Sequence, residues 1–311
     1  MIYHIIDHAG CGTMHNLIRP LSKHNNHIVY LQDDIIQSGF ADNITKQDDV
    51  IIHSSGSKSG LILNDWRNIF NNTRKVFVFM HTSAKYQEFK NRNNFIKEYL
   101  VKPDVIVITP SKEVTLQYIQ QGCHAETVQI GISKITKDYL LPIPRLAPFY
   151  GKIVTTCASP NRDYPHIKGI DSFNLIINEY KLHGDALICG YNQDDYIISR
   201  NFPYDDFVNI LSHAKAYIQL SRYESYNTTA IIAKQVKTPT FLLSTEGVPS
   251  CMQGYEYLDI YSLGTALDAY IHSGLMPYDI NEVCTDSINR ESVQSFCNSL
   301  SSIIQKYDSK E

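Results

Sequence analysis

The sequence alternates short apolar runs with longer amphipathic or polar segments. The apolar runs are mostly β-branched or aromatic, which is typical of buried β-strands, and the segments between them carry helical spacing and capping residues. Strands that alternate with helices in this way predict parallel, doubly wound α/β sheets. The strands predicted in the first half of the chain are Ile2–Ile6, His27–Leu31, Val50–His53, Lys75–Met80 and Asp104–Pro110.

A proline-rich stretch, residues 134–151, separates these strands from a second series. Its prolines block regular strand pairing and stiffen the chain, so we interpret the stretch as an interdomain linker. The strands predicted in the second series are Lys152–Thr156, Ala186–Gly190, Ala216–Leu220 and Thr240–Leu243. The prediction is therefore a Rossmann-like domain over residues 1–133, a linker over 134–151, a second Rossmann-like domain over 152–280, and a C-terminal helix within 281–311.

The most informative stretch begins where the apolar run Ala216–Leu220 ends. A lone carboxylate, Glu224, follows in a polar loop, and a helix-like segment resumes behind it. This order places the loop at the carboxyl edge of a sheet, where α/β proteins bind ligands. Asn227 and Thr228 are candidate N-caps, and the first amides of a helix suit a phosphate. A carboxylate for hydroxyls beside amides for a diphosphate indicates a nucleotide-sugar site.

Residues 221–239 resemble the donor-site motif of the family 4 glycosyltransferases, which have the two-domain GT-B fold. The family pattern is roughly S-x-Y-E-G-F-G-x-x-x-x-E-A-M-x-x-G-x-P, and the matching positions are Ser221, Tyr223, Glu224, Ala233 and Pro239. Ile232 replaces the second glutamate, and Ser225 and Asn227 replace glycines. In the family that glutamate grips the nucleotide ribose. Losing one such charge-assisted bond costs about 1.5–3 kcal/mol, or roughly ten- to a hundredfold in affinity.

A second resemblance lies in the loop that follows the strand Lys152–Thr156. Arg162 and Lys168-Gly169 resemble the family's G-R-x-x-x-x-K-G phosphate clamp, with a spacing one residue longer. A departing nucleoside diphosphate gains negative charge as the glycosidic bond breaks, so a fixed arginine and lysine stabilise the transition state without a metal. The alternative is that both side chains are ordinary surface cations.

The first domain offers a glycine turn and a histidine. Gly10 and Gly12 follow the first predicted strand, but the third glycine of a dinucleotide fingerprint is missing. The turn resembles the glycine loop that opens the acceptor-side domain of GT-B transferases, and the alternative is a tight turn with no ligand. His81 directly follows the predicted strand Lys75–Met80, which brings it to the ligand edge. In the family a histidine there faces the donor sugar or the acceptor; the alternative is a histidine that bonds loop backbone.

These resemblances occur in the family's order and cover most of the chain. They imply a retaining transferase that moves a sugar from a nucleoside-diphosphate donor, UDP- or GDP-linked, to a hydroxyl acceptor such as a glycan or lipid-linked glycan, with neither a metal nor a cofactor. The residues implied to be catalytic are His81, Arg162, Lys168 and Glu224. The residues implied to bind the donor are Gly10, Gly12, Arg162, Lys168, Glu224, Ser225, Tyr226, Asn227 and Thr228. The resemblance also implies that the C-terminal helix packs back toward the first domain; the alternative is that it caps the second core.

Two other functions stay open at this point. A catalytically silent GT-B subunit that binds a glycan or a partner transferase is favoured by the degenerate donor motif. A sugar transferase acting on modified nucleic acid would need a local basic groove. The formal net charge of −4 and the pI near 6.3 provide no broad electrostatic footprint for nucleic acid, so we do not expect it as a partner.

The remaining sequence features limit the cellular location and the reaction classes to be considered. The sequence starts without a basic or long apolar segment, and we expect a cytoplasmic protein, with peripheral contact at the inner membrane face left open. Seven scattered cysteines without a C-x-x-C pair favour reduced thiols. The sequence lacks D-x-D, H-E-x-x-H, G-x-S-x-G and Walker A motifs, which argues against metal-dependent transferases, zincins, nucleophile-elbow hydrolases and P-loop enzymes.

Overall fold

The structure is a computed structural model in which the chain divides into two compact units. One unit comprises Met1–Ser133 with Arg290–Glu311, and the other comprises Lys134–Asn289. The residues that the structure describes are 2–6, 21, 27–31, 49–54, 75–90, 92–130, 132, 134–136, 140–157, 163–190, 197–245, 247–248, 252, 256–276 and 293–308.

Within these residues, each unit contains one parallel sheet. The strands of the first sheet are β1 (Ile2–Ile6), β2 (His27–Leu31), β3 (Asp49–Ser54), β4 (Val76–Met80), β5 (Val105–Thr109) and β6 (Ala125–Thr127). The strands of the second sheet are β7 (Ile153–Cys157), β8 (Ala186–Gly190), β9 (Ile198–Arg200), β10 (Ala216–Gln219), β11 (Thr240–Leu243) and β12 (Glu256–Tyr257).

The longer helices lie mostly between these strands along the chain. They are α1 (Ala84–Phe89), α2 (Lys112–Gln120), α3 (Asp163–Ile167), α4 (Ile170–Glu179), α5 (Tyr204–Ser212), α6 (Thr228–Gln235), α7 (Ile260–Ser273) and α8 (Val293–Asp308). Shorter pieces are the helical turn Asn93–Phe95, the π-helix Ile96–Leu100, and the 3-10 helices Pro144–Phe149 and His183–Asp185.

The first sheet has the strand order β2-β1-β3-β4-β5-β6, so the direction of winding reverses between β1 and β3. Every residue of β4 and β5 is buried. A parallel sheet that is covered on both faces needs such continuous apolar strands, which is why these runs stood out in the sequence.

The C-terminal helix α8 belongs to the first unit. Its buried residues recur at helical spacing, and Phe296 meets the ring of Phe79 edge-on at 5.8 Å between centroids. Near its end, the carbonyl of Tyr307 accepts a hydrogen bond from Lys75 Nζ at 2.5 Å. Helix α8 thus packs against the first sheet.

The second sheet has the order β12-β11-β10-β7-β8-β9, and its winding reverses between β7 and β10. Phe173, Ile176 and Ile177 of α4 are buried in its core, together with residues of β7, β8 and β10. Helices on a parallel sheet with this strand order are the arrangement found in dinucleotide-binding folds.

The proline-rich segment is not an open connection. It forms the 3-10 helix Pro144–Phe149 and packs on α5 within the second unit. The Arg145 guanidinium donates to both carboxylate oxygens of Asp206, at 2.5 and 2.7 Å, and Tyr150 Oη donates to Asn209 Oδ1 at 2.5 Å. Prolines prevent strand pairing here, as expected, but the segment is anchored to the domain that follows it.

The predicted architecture of two doubly wound parallel sheets is confirmed. The pattern missed the short edge strands β6, β9 and β12, because a strand of two or three residues carries too little periodicity. Among the described helices, none combines the length and the apolar composition needed to cross a membrane.

Candidate functional site

Ligands of open α/β sheets bind at the carboxyl ends of the strands, where the winding direction reverses. In the second unit this point lies between β7 and β10, and in the first unit it lies between β1 and β3. Lys168 follows β7 and Glu224 follows β10. Two of the predicted donor-site residues of the second unit therefore lie in the connections that follow the two strands flanking its reversal.

The position of Lys168 depends on the glycine behind it. Gly169 has a φ of 71°, and a Cβ on it would lie 2.0 Å from the carbonyl oxygen of Leu220. The backbone amide of Arg222 also donates to the carbonyl of Ile167 at 2.8 Å. The turn between α3 and α4 is thus packed directly against the end of β10, and only glycine fits at residue 169.

This packing brings the two charged side chains into contact. Lys168 Nζ lies 2.7 Å from Glu224 Oε2, and the side chains keep 17% and 12% of their surface exposed. Gln219 Nε2 donates to the same carboxylate oxygen at 3.2 Å. Glu224 is therefore fixed by a cation and an amide, although 56 residues separate it from Lys168 along the chain.

A polar row on β10 lies beneath this ion pair. Tyr217 Oη donates to Gln219 Oε1 at 2.5 Å, and Gln219 Nε2 bonds both Ser221 and Glu224. Burial raises the pKa of Tyr217; the nearby Glu224 carboxylate adds to the rise, and the Lys168 ammonium opposes it. Sequence reasoning missed this row, although its signal is visible: alternate residues on a buried strand carry polar groups.

The start of α6 forms the other side of the loop. Asn227 caps the helix, with its Oδ1 accepting from the Ala230 amide at 3.0 Å. Its own amide donates to the carbonyl of Gly247 at 2.9 Å, and the Thr228 amide donates to the carbonyl of Tyr226 at 3.0 Å. Asn227 and Thr228 are two of the predicted donor-binding residues, and their backbone amides bond protein carbonyls in this structure.

The loop between Glu224 and α6 is tightly enclosed. Ser225, Tyr226 and Asn227 are buried, and Thr228 is partly exposed. A Cβ on Gly247 would lie 2.4 Å from the backbone oxygen of Glu224, so this glycine allows the segment after β11 to close on the loop. The role of Gly247 could not be predicted from the sequence, because Glu224, which it faces, is far away along the chain.

Ile232 lies one turn into α6 and is 1% exposed. Its apolar side chain offers no hydrogen bond, and a glutamate at this position would have to bury its carboxylate. Whatever binds near Glu224 has to obtain its remaining polar contacts from other residues.

His81 follows β4 in the first unit and contacts a second histidine. Its Nε2 lies 3.1 Å from His53 Nδ1, and His53 Nε2 lies 3.0 Å from His4 Nδ1. Burial lowers the pKa of His81 to about 4. The pKa of His53 is held well below its usual range by burial first, and then by His4 and His81. These contacts join His81 to side chains, and both predictions for it, a role toward the donor sugar or acceptor and a bond to loop backbone, stay predictions.

Three predicted residues, Gly10, Gly12 and Arg162, lie outside the described residues. The described ranges contain no cluster of three or more histidine, cysteine or acidic side chains that could hold a metal ion.

A cavity of about 130 Å³ lies beside the start of α5 in the second unit. Arg145 there is paired with Asp206, and the Arg200 guanidinium lies 5.6 Å from the ring centroids of both Phe149 and Phe202. These contacts explain the residues as packing between the 3-10 helix and α5, and they leave Lys168 and Glu224 as the candidate site of this unit.

No protein-family model matches the sequence, and no curated protein shows significant similarity to it. Solved structures do match. The N-terminal domain of a Candida albicans trehalose-6-phosphate phosphatase is 12% identical, with a TM-score of 0.68 over 98% of this chain and 96% of that one. A trehalose-6-phosphate synthase studied for glycosyl transfer with retention is 11% identical, with a TM-score of 0.65 over 98% and 99%.

A UDP-forming α,α-trehalose-phosphate synthase from Burkholderia xenovorans, in complex with glucose-6-phosphate, is also similar. It is 8% identical, with a TM-score of 0.68 over 98% of this chain and 100% of that one. The predicted GT-B fold is confirmed by these likenesses. At such identities they establish the fold alone, and one of the similar domains comes from a protein named as a phosphatase.

Proposed function

We propose that this protein is a glycosyltransferase that moves a sugar from a nucleoside-diphosphate donor to a hydroxyl acceptor, with retention of configuration. The observation that carries the proposal is the contact of Lys168 with Glu224 at the switch point of the second sheet. A cation for a diphosphate and a carboxylate for sugar hydroxyls stand side by side there, in a fold shared with synthases described as UDP-forming and as transferring with retention.

Lys168 and Glu224 have different roles in the proposed reaction. The bond between the anomeric carbon and the diphosphate breaks, and Lys168 stabilises the negative charge that develops on the leaving oxygens. The acceptor hydroxyl forms the new bond from the same face, and its proton passes to the leaving diphosphate. Glu224 accepts hydrogen bonds from the sugar hydroxyls and holds the ring in place. No enzyme nucleophile and no metal are required by this route.

Charge balance gives Arg162 a place in this proposal. Lys168 and Glu224 neutralise each other, so a bound diphosphate would bring negative charge into a site with little net charge of its own. A second cation restores the balance, and Arg162 precedes Lys168 by six positions in the same connection. The donor contacts expected of Gly10, Gly12, Ser225 and Tyr226 are further parts of the proposal.

The motif around Glu224 resembles that of family 4, and we propose that the chain is related to this family. Ile232 then has a definite consequence. The ribose loses the carboxylate that usually holds it, so we expect weak donor binding, with a dissociation constant raised roughly ten- to a hundredfold. We also expect transfer to persist in the presence of EDTA.

A second function is favoured by the burial of Ile232. A catalytically silent GT-B subunit needs no ribose contact, and a self-paired lysine and glutamate would be stable without a ligand. The two functions differ in donor binding, which can be measured before any acceptor is known.

The deciding experiment is a thermal-shift panel of UDP-, GDP-, ADP- and CMP-linked sugars. A donor present at a hundred times its dissociation constant adds about 2.7 kcal/mol to native-state stability. We expect stabilisation that is selective for one base, most readily UDP, and that is lost in Lys168→Ala. The control is Glu179→Ala, an exposed charge at the end of α4.

A flat panel at millimolar concentration would contradict the transferase and support the silent subunit. Stabilisation that persists in Lys168→Ala would place the donor elsewhere and contradict the site assignment alone.

A further inference from the structure

Three histidines form a diagonal row across the first sheet. His4 on β1 is in register with Ile51 of β3, and His53 follows Ile51 by two residues. His53 is in register with Phe79 of β4, and His81 follows Phe79 by two residues. Because side chains two apart on a strand share a face, all three imidazoles lie on one face, and each step moves toward the carboxyl edge.

The rings contact each other directly along this row. The His4 and His53 ring centroids lie 5.3 Å apart and those of His53 and His81 lie 5.4 Å apart, with interplanar angles of 28° and 21°. Phe79 stacks on His53 at 5.5 Å and fixes the central ring from the side. His4 and His53 are 0% and 1% exposed, while His81 at the edge is partly exposed. The row therefore runs from the sheet interior to the ligand edge.

Each of the two N···N contacts needs one proton. Burial keeps His53 and His81 neutral at physiological pH by lowering the pKa of both, so each of these rings carries a single N–H. A buried pair of nitrogens without a proton between them would be repulsive, and two protons would clash. One ring must donate and the other accept at both contacts.

This requirement couples the three tautomers. If His4 donates from Nδ1 to His53 Nε2, the His53 proton must be on Nδ1, where it is donated to His81 Nε2. The His81 proton is then on Nδ1 as well. In the opposite direction all three protons are on Nε2. The row has two neutral states, all-Nδ1 and all-Nε2, and His81 Nδ1 is a donor in the first and an acceptor in the second.

We propose that His4 and His53 are positioning residues that set the tautomer of His81 and can relay its proton into the sheet. The role in turnover rests on the proposed glycosyl transfer, whereas the coupling of the rings does not. In the all-Nε2 state His81 Nδ1 accepts a hydrogen bond from a substrate hydroxyl.

The relay step conserves protons. If the hydroxyl proton moves to His81 Nδ1, the Nε2 proton of His81 moves to His53 Nδ1. The Nε2 proton of His53 then moves to His4 Nδ1, and the positive charge resides on His4 until the protons move back along the row and His81 Nδ1 releases one to solvent. His81 thus receives a proton at the ligand edge of the first sheet without itself remaining a cation.

The first test needs only the wild-type protein. Two-bond ¹⁵N–¹H correlation spectra distinguish Nδ1–H from Nε2–H for each histidine. We expect His4, His53 and His81 to be neutral at pH 7 and to share one tautomer. A mixed set, such as Nδ1–H on His53 with Nε2–H on His81, would overturn the proposal.

The second test changes the far end of the row. His4→Phe keeps a ring at residue 4, leaves the contact between His53 and His81 in place, and removes the coupling. We expect the His81 nitrogen shifts to move toward a mixture of tautomers, although His53 separates residue 4 from His81 in the row. Ile5→Val, a buried neighbour on the other face of β1, should leave them unchanged. Unchanged His81 shifts in His4→Phe would show a merely structural stack and overturn the proposal; if this variant fails to fold, His4→Gln is scored in the same way.

Turnover provides a third readout once a donor and an acceptor are in hand. We expect His53→Phe to lower kcat at least about tenfold with KM nearly unchanged, and to alter the pH profile of kcat. An unaltered kcat and pH profile would contradict the positioning role. If the wild-type protein shows no transferase activity, the proposed function is contradicted, while the spectroscopic result stays valid.

Discussion

The two ligand edges of this protein occupy equivalent places in two similar sheets and carry opposite kinds of chemistry. The edge of the second sheet presents an ion pair, Lys168 with Glu224. The edge of the first sheet presents an imidazole, His81, at the end of the row of histidines, and burial lowers its pKa. A winding reversal specifies where a ligand binds, and the residues that follow the strands decide which charge the ligand meets.

The difference follows from how each edge is built. Lys168 and Glu224 remain partly exposed and satisfy one another, so both charges persist. The histidines stand on strands that are covered on both faces, and burial disfavours their charged forms. We infer a division of work in which the charged edge holds the anionic donor and the neutral edge handles a hydroxyl proton.

The largest effect is expected from Gly169→Ala, which would break the second edge alone. The new Cβ would lie 2.0 Å from the Leu220 oxygen at a φ of 71°. We expect a loss of at least about 3 kcal/mol in the free energy of unfolding, together with loss of donor binding. Gly274→Ala is the matched control, because its φ is also 71° but nothing lies within 4 Å. It should lose only about 1 kcal/mol, measured by denaturant unfolding. Equal losses in both variants would refute the packing argument.

The next effect is expected from the ion pair itself. Lys168→Ala and Glu224→Gln should each lower kcat/KM by more than about tenfold, because each removes a contact to the transition state. The double variant should lose less than the product of the two, since the side chains act in direct contact. Steady-state kinetics of the three variants measures this, with circular dichroism to verify folding. If the loss in kcat/KM of the double variant equals the product of the two single losses, the two side chains act independently and the ion pair does not function as a unit.

Because its histidines are held neutral, the edge of the first sheet should make the free energy of unfolding depend on pH in the acid range. The unfolded chain binds protons at histidine near pH 6.5, whereas native His81 resists protonation down to about pH 4. The unfolded state therefore binds more protons between these values, and native stability falls as the pH drops from 6.5 to 4. The loss is on the order of 3 kcal/mol for His81 alone, and it should shrink in His81→Gln. Urea unfolding from pH 7 to 4 measures it, with the exposed His124→Gln as the control. Identical pH slopes in all three proteins would show that the edge is not held neutral by burial.

The sequence analysis succeeded where the signal is local. Continuous apolar runs predicted the buried strands, and Glu224 could be assigned to a sheet edge because it follows β10 within a few residues. The contacts of Lys168 with Glu224 and of Gly169 with Leu220 could not be predicted from the sequence, because they depend on how distant strands are ordered. The row of histidines was invisible for the same reason: only the register of β1, β3 and β4 aligns the rings. Local pattern predicts elements and their ends, and strand order decides which ends meet.

The smallest expected effect concerns α1 and α6, the helices that begin just after the two ligand edges. Ser83 caps α1 just after His81, and Asn227 caps α6 just after Glu224. Replacing either cap by alanine frees one helix amide and should lower stability by about 1 kcal/mol. If only the second edge holds the anionic donor, Asn227→Ala should also weaken donor binding severalfold, since it disturbs the amides and the dipole next to the diphosphate. Ser83→Ala should leave donor binding unchanged. Calorimetric titration of both variants measures the difference, and a similar loss of affinity in Ser83→Ala would mean that the donor draws on both edges, which would end the proposed division of work.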